Sequence, residues 1–366
     1  MSQKLNSYNE DKLCIVGTCP DMCPFEEVTL REEEKLVHVL EVTGEGYKLV
    51  KSYSRSAASA NMAVPRLLRS YPVLYDTVQY LLLKVSKRTD VKMSVMYDFL
   101  NDRLRAVRQD MTIQRLPEEE CLVLLEPMIR FYVYYAYRLC DYPLNEYDPV
   151  LNKKYLLECI KWFLSCCDNI DRDNAGTDDV DSLVEDLSKL NVSNQKHGEL
   201  SCDRILVESL YILCNLDDIH PLYRYLNLSK QIKRVSILKL TYNIAVANLH
   251  GNYIRMWKLA KRLCPLTFSA LCLYLPKLQK RSLQVLSNAY NSKQLTVPVK
   301  VVQQWLMFNS EEEVRAACTY YGLKATDGVN FNKNSFKLDA NELPPRKHYQ
   351  AKILHLKLED VLSYTL

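Results

Sequence analysis

Residues 92–111, KMSVMYDFLNDRLRAVRQDM, decide the fold class, because they carry the clearest periodic pattern in the chain. Apolar side chains recur there at intervals of three and four residues, which is the spacing of one face of an α-helix. These side chains are Met93, Met96, Leu100, Leu104, Val107 and Met111. The opposite face carries polar and charged residues, including Arg105 and Arg108. The same pattern returns elsewhere in the chain and predicts a mostly α-helical protein.

Helical patterns also flank this segment. One begins just after a proline, carries acids in its first turn and predicts a helix from about Phe25 to Val42, ended by Gly44 and Gly46. The run from Leu122 to Cys140 contains so many aromatic residues that we expect this helix to be packed between neighbours.

Two further helices meet at His250-Gly251-Asn252. Glycine suits a left-handed carboxyl cap and asparagine can cap the next helix, so the sequence predicts an αα-hairpin, the unit from which helical solenoids are stacked. From Asp168 to Asp203 the composition shifts to Asp, Asn, Ser and Gly and the periodicity weakens. This change predicts a mobile acidic insertion at about residues 168–203.

The last segment of the chain changes character. Helical patterns at Val299 to Phe308 and Ser310 to Tyr321 precede an alternation of apolar residues about the turn Asn332 to Ser335, which is typical of a β-hairpin. The alternating residues are Val329, Phe331, Phe336 and Leu338. A third alternating run, Leu354 to Leu358, would complete a small sheet. Helices followed by a hairpin predict a winged helix over residues 298–366.

Composition restricts the class of protein. The 366 residues are 48% hydrophobic and include only 8 glycines, which favours helices over glycine-rich phosphate loops. The net charge of +4 is too small to imply nucleic-acid binding by itself, so such a role depends on local patches. The amino terminus lacks the apolar core of a signal peptide, and the longest apolar run, Leu263 to Leu275, is too short to span a bilayer. We expect no membrane insertion.

The 13 cysteines are an odd number scattered through apolar segments, which indicates buried thiols in a reducing compartment, the nucleus or the cytoplasm. Cys14, Cys19 and Cys23, with His38 downstream, form a candidate zinc site. Their spacings of four and three residues lack the second matched pair that zinc sites usually have. Packing of Cys19 and Cys23 in a turn against the first helices is therefore the favoured interpretation.

Enzymatic motifs are missing from the sequence. No nucleophile elbow, zinc-protease helix, phosphate loop or dinucleotide fingerprint occurs. We therefore expect no catalytic residues, no metal and no cofactor, and we predict that the protein is not an enzyme.

Two groups of cations could contact nucleic acid. The first, on the helix at residues 92–111 and just after it, consists of Arg103, Arg105, Arg108 and Arg115. Acids intervene there at Asp98, Asp102 and Asp110, so ion pairs within the protein are favoured over RNA contact. The second group lies about the predicted winged helix and consists of Lys300, Lys333, Lys337, Arg346 and Lys347. These residues are the better candidates, although a solvated basic face on a protein-docking module explains them equally well.

Ordered motifs give the chain a family resemblance. They begin with Gly17-Thr18-Cys19-Pro20-Asp21-Met22-Cys23-Pro24 and Arg31-Glu32, followed by VKSYSRSAAS, which includes Lys51, Tyr53, Arg55 and Ser56. Next come Arg66 to Arg69, Thr77 to Leu82, and Phe99 to Gln114, which includes Arg103, Arg105, Arg108, Gln109 and Asp110. The last are Ile129 to Phe131, Gly251-Asn252-Tyr253 and Tyr321 to Leu323. In this order they resemble the central domain of the GANP family, the large scaffold subunit of the TREX-2 messenger RNA export complex. The resemblance covers about residues 14–325. We expect the motif residues to be structural or to face a partner.

The resemblance implies a fold and a set of partners. The fold is a flexible amino terminus at 1–13, a right-handed helical-repeat stack of the TPR/PCI type at 14–297 and the winged helix at 298–366. The winged helix would pair with that of a second PCI-domain protein, which in turn holds a small acidic subunit of the proteasome-lid type. The paired domains would bind RNA or DNA, which the chain alone binds weakly, in the nucleus at nuclear pores.

The resemblance also leaves an alternative open. The chain shows neither the pore-targeting repeats nor the long carboxyl-terminal helix, a collector of centrin, of the large family members, so we expect a bare central domain. In this it is similar to short, single-domain members, some of which are associated with the centrosome and spindle. The alternative function is a structural role in cell division in the cytoplasm, without RNA contact.

Overall fold

The computed structural model describes residues 15–54, 63–175, 203–348, 353 and 356–363, and most of them are helical. The mostly α-helical class is therefore confirmed. The chain divides into two compact units, residues 1–124 and residues 125–366. The predicted flexible amino terminus, residues 1–13, lies outside the described residues.

Within the described residues, unit 1 contains four α-helices and a short hairpin, and the fourth helix continues into unit 2. They are α1 (Phe25–Glu33), β1 (Val42–Thr43), β2 (Gly46–Tyr47), α2 (Tyr71–Leu83), α3 (Met93–Gln114) and α4 (Glu118–Arg138). The strands β1 and β2 pair antiparallel.

The first helix is shorter than the sequence predicts. It ends at Glu33, because Lys35 takes a left-handed conformation with φ of 55°. The chain then forms a 3-10 turn at Val39–Glu41 and the hairpin of β1 and β2. Gly44 and Gly46 belong to that hairpin and do not end a helix, so this part of the prediction is wrong.

The long periodic segment is helical as predicted. In α3 the apolar face is buried, with Leu100, Leu104 and Val107 fully inaccessible to solvent. The helix ends at Gln114, and the left-handed backbone of Arg115 lets the N–H of Leu116 donate to the carbonyl of Met111 at 3.3 Å. In α4 the aromatic residues are buried on all sides, as expected for a helix packed between neighbours.

Unit 2 contains the remaining elements. They are α5 (Pro149–Ala175), α6 (Arg204–Leu213), α7 (His220–Asn227), α8 (Lys230–Arg234), α9 (Ser236–Leu249), α10 (Tyr253–Ala260), α11 (Pro265–Cys272), α12 (Leu275–Ala289), β3 (Val297–Pro298), α13 (Val299–Leu306), α14 (Glu311–Tyr320), β4 (Lys324–Ala325), β5 (Gly328–Asn330) and α15 (Leu358–Ser363). The core is built where α6 packs against α5, α9 and α11, and where α9 packs against α10.

The predicted acidic insertion begins too early. Helix α5 continues through Asp168 to Ala175, and Asp203 caps α6 by accepting the N–H of Leu206 at 3.0 Å. The helix persists because its acids are paired: Asp168 contacts Arg224 at 2.7 Å. Residues 176–202 lie outside the described residues.

The predicted αα-hairpin is confirmed. Gly251 takes the left-handed conformation, with φ of 67°, directly after α9. The side chain of Asn252 then accepts the N–H of Arg255 at 3.1 Å and caps α10.

The carboxyl-terminal sheet differs from the predicted one. Strand β5 is central and pairs antiparallel with β3 on one side and β4 on the other. Phe336 is not in a strand, because its ring stacks on Tyr321 at 5.7 Å and the N–H of Lys337 donates to the carbonyl of Tyr321 at 2.9 Å. The apolar alternation thus reflects aromatic anchors in an irregular segment.

The predicted third strand is also wrong where the structure describes it. Leu358 begins the helix α15, which buries Val361 and Leu362 on one side. Leu354 and His355 lie outside the described residues.

A substitution at Gly322, which lies between α14 and β4, provides a test of how the terminal region is arranged. Gly322 has φ of 83°, and a Cβ there would lie 2.3 Å from the carbonyl oxygen of Ser335. We predict that Gly322→Ala lowers the free energy of unfolding by about 2 kcal/mol or more, from left-handed strain plus the clash. Urea unfolding measures the change.

The matched control is Gly251→Ala, where φ is 67° but a Cβ would meet nothing within 4 Å. Its cost should be about 1 kcal/mol, from the backbone alone. Equal costs for the two variants would contradict the close approach of residues 322 and 335.

Candidate partner and nucleic-acid interface

The family-motif residues of unit 1 gather around α3. The segment from Gly17 to Cys19 runs beside residues 65–69, with the N–H of Cys19 donating to the carbonyl of Leu68 at 3.0 Å. The N–H of Gly17 donates to Oε1 of Gln114 at 2.7 Å. A Cβ on Gly17 would lie 2.5 Å from the carbonyl oxygen of Leu68, so only glycine allows this approach.

Two other residues of the first motif, Met22 and Thr18, make backbone hydrogen bonds to the same part of unit 1. The carbonyl of Met22 accepts the N–H of Lys51 at 3.0 Å, and the N–H of Thr18 donates to the carbonyl of Pro65 at 2.8 Å. Pro24 is buried and starts α1. These backbone contacts hold the motif against residues 51 and 65–68, with Cys19 and Cys23 buried and Asp21 exposed.

Asp110 is the centre of a buried ion cluster that also contains Lys51 and Arg69. Its carboxylate is fully buried and contacts Nζ of Lys51 at 2.6 Å and Nε of Arg69 at 2.7 Å. Lys51 also donates to the carbonyl of Leu67 at 2.6 Å. Two buried cations therefore depend on one buried carboxylate, which three separate chain segments bring together.

A second buried carboxylate, Glu41, lies in the 3-10 turn. It contacts Arg31 of α1 and, at 3.3 Å, Arg103 of α3. It also accepts the N–H groups of Val50 at 3.0 Å and His38 at 3.1 Å. Burial favours its neutral form, but the hydrogen bond from Arg31 and the charge of Arg103 outweigh burial and lower the pKa of Glu41.

The other motif residues of α3 also have contacts within the unit. The guanidinium of Arg105 lies 3.8 Å from the ring centroid of Tyr53, and Gln109 donates to the carbonyl of Ser54 at 3.1 Å. Arg108 is half-buried, and Arg115 is exposed at the end of the helix. Arg55 and Ser56 lie outside the described residues. The chain from 52 to 54 is thereby tied along α3.

The motif cysteines are shielded. Cys19 and Cys23 are each 3% exposed, and burial raises the pKa of both thiols, that of Cys23 to about 12. His38 accepts the N–H of Leu40 at Nδ1 and stacks on Phe99 at 4.7 Å. Cys14 lies outside the described residues, and among the residues that are described no three potential ligands are grouped as a metal would require.

In unit 2 the motif Gly251-Asn252-Tyr253 forms the turn of the α9–α10 hairpin. Tyr253 is half-buried, and burial raises the pKa of its hydroxyl. This motif therefore shapes the hairpin.

The five terminal candidates differ in exposure and in whether a carboxylate pairs with them. Lys300 is exposed in the first turn of α13, and Lys333 and Lys337 are exposed after β5. Lys347 is occupied, with its Nζ 2.9 Å from Asp141. Arg346 is exposed beside it. Only four of the five therefore offer cations without a carboxylate partner among the described residues.

A cation that the sequence interpretation missed lies beside Lys333. The N–H of Lys333 donates to Asn291 at 3.1 Å, and Asn330 donates to the carbonyls of Ser292 and Leu295 at 3.2 Å and 3.1 Å. These bonds bring the exposed Lys293 to the same loop. Its distance of 40 residues from Lys333 hides this neighbourhood in the sequence.

Helix α14 begins with three acids. Glu311 contacts Arg315 at 3.0 Å, and Glu313 accepts the N–H of Asn309 at 3.0 Å. Glu312 is exposed. This first turn would repel phosphate, so nucleic acid has to meet the cations at the other positions.

A cleft of about 260 Å³ lies between α14, the end of α13 and the start of α12. Residues 343–348 close one side. This strap is fixed, because Tyr137 of α4 donates to the carbonyl of His348 at 2.8 Å. Arg130 of α4 likewise donates to the carbonyl of Val361 in α15 at 2.7 Å. The end of the chain is thus tied back to α4.

Exposed apolar side chains accompany the cations. Leu338 follows Lys337 and is 58% exposed, and Leu295 in the loop before β3 is 75% exposed. Large apolar side chains at such exposure, mixed with cations, fit a surface that another protein covers. Within the described residues, every helix is too short or too polar to cross a bilayer.

The comparisons with known proteins cover most of the chain and agree on one family. The model of the SAC3/GANP family matches residues 22–327. The chain is similar to SAC3 family protein B of Arabidopsis thaliana, with 27% identity over 95% of this chain and 20% of that protein. It is similar to Protein xmas of Drosophila melanogaster, with 26% identity over 85% of this chain and 15% of that protein. SAC3 family protein 1 of Schizosaccharomyces pombe is 24% identical over 97% of this chain and 35% of its own length. The chain thus spans between 15% and 35% of these relatives.

The buried carboxylate gives a stability test. Asp110→Asn keeps the shape but leaves Lys51 and Arg69 buried beside a neutral group. We predict a loss of about 3–5 kcal/mol in the free energy of unfolding, measured with urea. Glu26→Gln is the control, because Glu26 and Arg66 form an exposed pair, and it should change stability very little. A small effect of Asp110→Asn would contradict its central place.

The motif thiols give a reactivity test. Because the thiolate is the reactive form, we predict that Cys19 and Cys23 escape a brief iodoacetamide pulse in the folded protein, while the half-buried Cys264 is alkylated before either of them. Peptide mass spectrometry before and after unfolding measures each site. Alkylation of Cys19 or Cys23 as fast as that of Cys264 would indicate a reactive centre.

Proposed function

Because the chain belongs to the SAC3/GANP family, we propose that it is a non-enzymatic scaffold in messenger RNA export from the nucleus or in coupled transcription. In this proposal the terminal region pairs with a PCI-domain protein, and the pair binds nucleic acid. The partner holds a small acidic subunit of the proteasome-lid type. The scaffold acts in the nucleus, at nuclear pores.

The terminal region is the observation that carries the proposal. Two helices, α13 and α14, lie between strand β3 and the pair β4–β5, and the last strand is central in the sheet. This arrangement supports a winged helix at the end of a helical stack. The αα-hairpin of α9 and α10 supports the repeat character of that stack.

The exposed surface of this region supports a partner. Leu295 and Leu338 are apolar and open to solvent, and Tyr320 at the end of α14 is half-exposed. A second winged helix that covers them would bury apolar area that a lone chain leaves in water. Co-purification from native extract, followed by mass spectrometry, identifies the protein that binds there.

The distribution of buried charge supports a scaffold more than an enzyme. Asp110 and Glu41 are both engaged by cations and backbone N–H groups in unit 1. A catalytic carboxylate or thiol would instead have to reach a substrate.

A cell-division role at the centrosome or spindle, without RNA contact, is the second proposal. The acidic first turn of α14 favours it, because the carboxylates of Glu311 and Glu312 would repel phosphate. Imaging of a tagged copy through the cell cycle separates the two proposals.

The terminal cations give the test of nucleic-acid binding. We predict that Lys300→Gln, Lys333→Gln, Lys337→Gln and Arg346→Gln, combined, weaken binding of a labelled 20-nucleotide RNA by the chain and its PCI partner at least about tenfold in 0.1 M salt. The slope of log K against log salt should fall by about 0.7 for each phosphate that the variant no longer neutralises. Fluorescence anisotropy over a salt series measures both quantities.

The control is Lys347→Gln, because the ammonium of Lys347 already contacts Asp141. It should leave both the affinity and the slope nearly unchanged. An unaltered slope in the quadruple variant would remove the terminal surface from the nucleic-acid site.

A further inference from the structure

One quarter of the chain contains no acid. The 92 residues from Ile219 to Ser310 carry 14 Lys and Arg and no Asp or Glu, whereas the other residues carry 34 Lys and Arg against 44 Asp and Glu. The net charge of +4 therefore conceals a strongly basic stretch in an acidic chain. A charge asymmetry of this size indicates contact with a polyanion.

Some cations of this stretch are neutralised by acids that precede it. They are Arg224, which contacts Asp168 at 2.7 Å and Glu208 at 2.8 Å, Lys277, which contacts Asp217 at 2.7 Å, and Arg281, which contacts the same carboxylate at 3.0 Å. These ion pairs are structural, since they join α7 to α5 and α6 and join α12 to the segment after α6.

Six other cations have no carboxylate partner among the described residues. We call them the hairpin cluster: Lys230, Lys233, Arg234, Lys239, Lys258 and Arg262. The first three lie on α8, directly before α9, and Arg262 follows α10. Because α9 and α10 pack together and are joined at Gly251, they run antiparallel. The start of α9 therefore lies beside the end of α10, which brings the six cations to one end of the hairpin.

The cluster is held in place by buried neighbours. The hydroxyl of Tyr225 donates to the carbonyl of Lys233 at 3.2 Å, and its ring stacks on Tyr242 of α9 at 4.0 Å. Ile232 anchors α8 in the core. The backbone of α8 is thus fixed, while its charged side chains extend from it.

An exposed aromatic side chain lies on α7, the helix that directly precedes the cluster in the chain. Tyr223 and Leu226 are 67% and 56% exposed and are three residues apart on α7, so they share a face. Lys233 donates from Nζ to the carbonyl of Leu226 at 2.8 Å, which places the end of α7 beside α8. Cations next to an exposed aromatic ring are the combination that binds single-stranded nucleic acid, because phosphates meet the charge and bases stack on the ring.

We propose that the hairpin cluster binds the phosphate backbone of single-stranded nucleic acid and that Tyr223 stacks on a base. The proposal rests on the scaffold function in nucleic-acid handling and adds a surface outside the terminal region. Because α10 packs against α13, this surface lies on a helix adjacent to the one that carries Lys300.

The composition of the cluster favours nucleic acid over an acidic protein. Four of the six residues are lysines, which are depleted in the cores of protein–protein interfaces. Affinity for phosphates, in contrast, rises with each cation that is not already paired, through release of counterions.

The test removes four charges of the cluster in the full chain with its PCI partner. We predict that Lys230→Gln, Arg234→Gln, Lys239→Gln and Arg262→Gln, combined, weaken binding of a 20-nucleotide poly(U) RNA at least about tenfold in 0.1 M salt and reduce the salt slope by about 0.7 for each phosphate that is no longer neutralised. Tyr223→Ala should weaken binding several-fold and leave the slope unchanged, since stacking carries no charge. Poly(dT) of the same length should respond in the same way.

The matched control removes the same charge elsewhere, at Lys84, Lys92, Lys154 and Lys161, which are exposed and lie outside the acid-free stretch. It should retain the affinity, and thermal unfolding of all variants shows whether they are folded.

If the cluster variant binds as the control does while the terminal quadruple variant loses binding, the hairpin cluster is overturned and the proposed function stands. If the wild-type complex shows no salt-dependent binding, both nucleic-acid proposals fail. If poly(glutamate) of equal charge displaces the RNA at lower concentration, the surface belongs to an acidic protein and the inference is wrong.

Discussion

The carboxylate of Asp110 fixes the arrangement of unit 1. It is fully buried and neutralises two cations, Lys51 and Arg69, that come from different segments of the chain. Burying three charged groups is costly unless each is paired, so the segments must meet in one geometry. Around this point Gln114 joins Gly17 to α3, which brings the amino-terminal motif onto the helix. Three of the motif residues in this unit, Lys51, Arg69 and Asp110, therefore form a buried ion cluster.

The cations that we propose to contact nucleic acid show the opposite arrangement. The cations of the hairpin cluster and of the terminal region lie at the surface, and those proposed to bind phosphate have no carboxylate partner among the described residues. Arg103 and Arg105 lie on the most recognisable motif, yet they contact Glu41 and Tyr53 inside the unit. The arginines of this motif and the cations that we propose to bind phosphate are thus different groups of residues, since an arginine already paired gains little from releasing counterions.

The terminal region depends on ties to α4. Arg130 and Tyr137 donate hydrogen bonds to carbonyls of the last segments, at Val361 and His348. Arg130 is itself paired with Glu126 at 2.6 Å in a fully buried site. The last segments are thus held against a helix that is buried along most of its length. A partner that covers the exposed apolar residues, as proposed, would meet a region already held in place, which lowers the entropy cost of binding.

The sequence alone located several of the helices, because their signals are local. Apolar spacing located α3 and α4, and Gly251 with Asn252 located the α9–α10 turn. The family followed from ordered motifs. Strands of two or three residues could not be located this way, because β5 is defined by partners at residues 297 and 325, and alternation around Phe336 came from packing against Tyr321. Tertiary structure also decided which cations are available: Lys347 and Asp141 are far apart in sequence, and only the fold brings them to 2.9 Å. Whether two charges pair depends on their distance in space, whereas helical periodicity can be recognised from residues that are close together in the sequence.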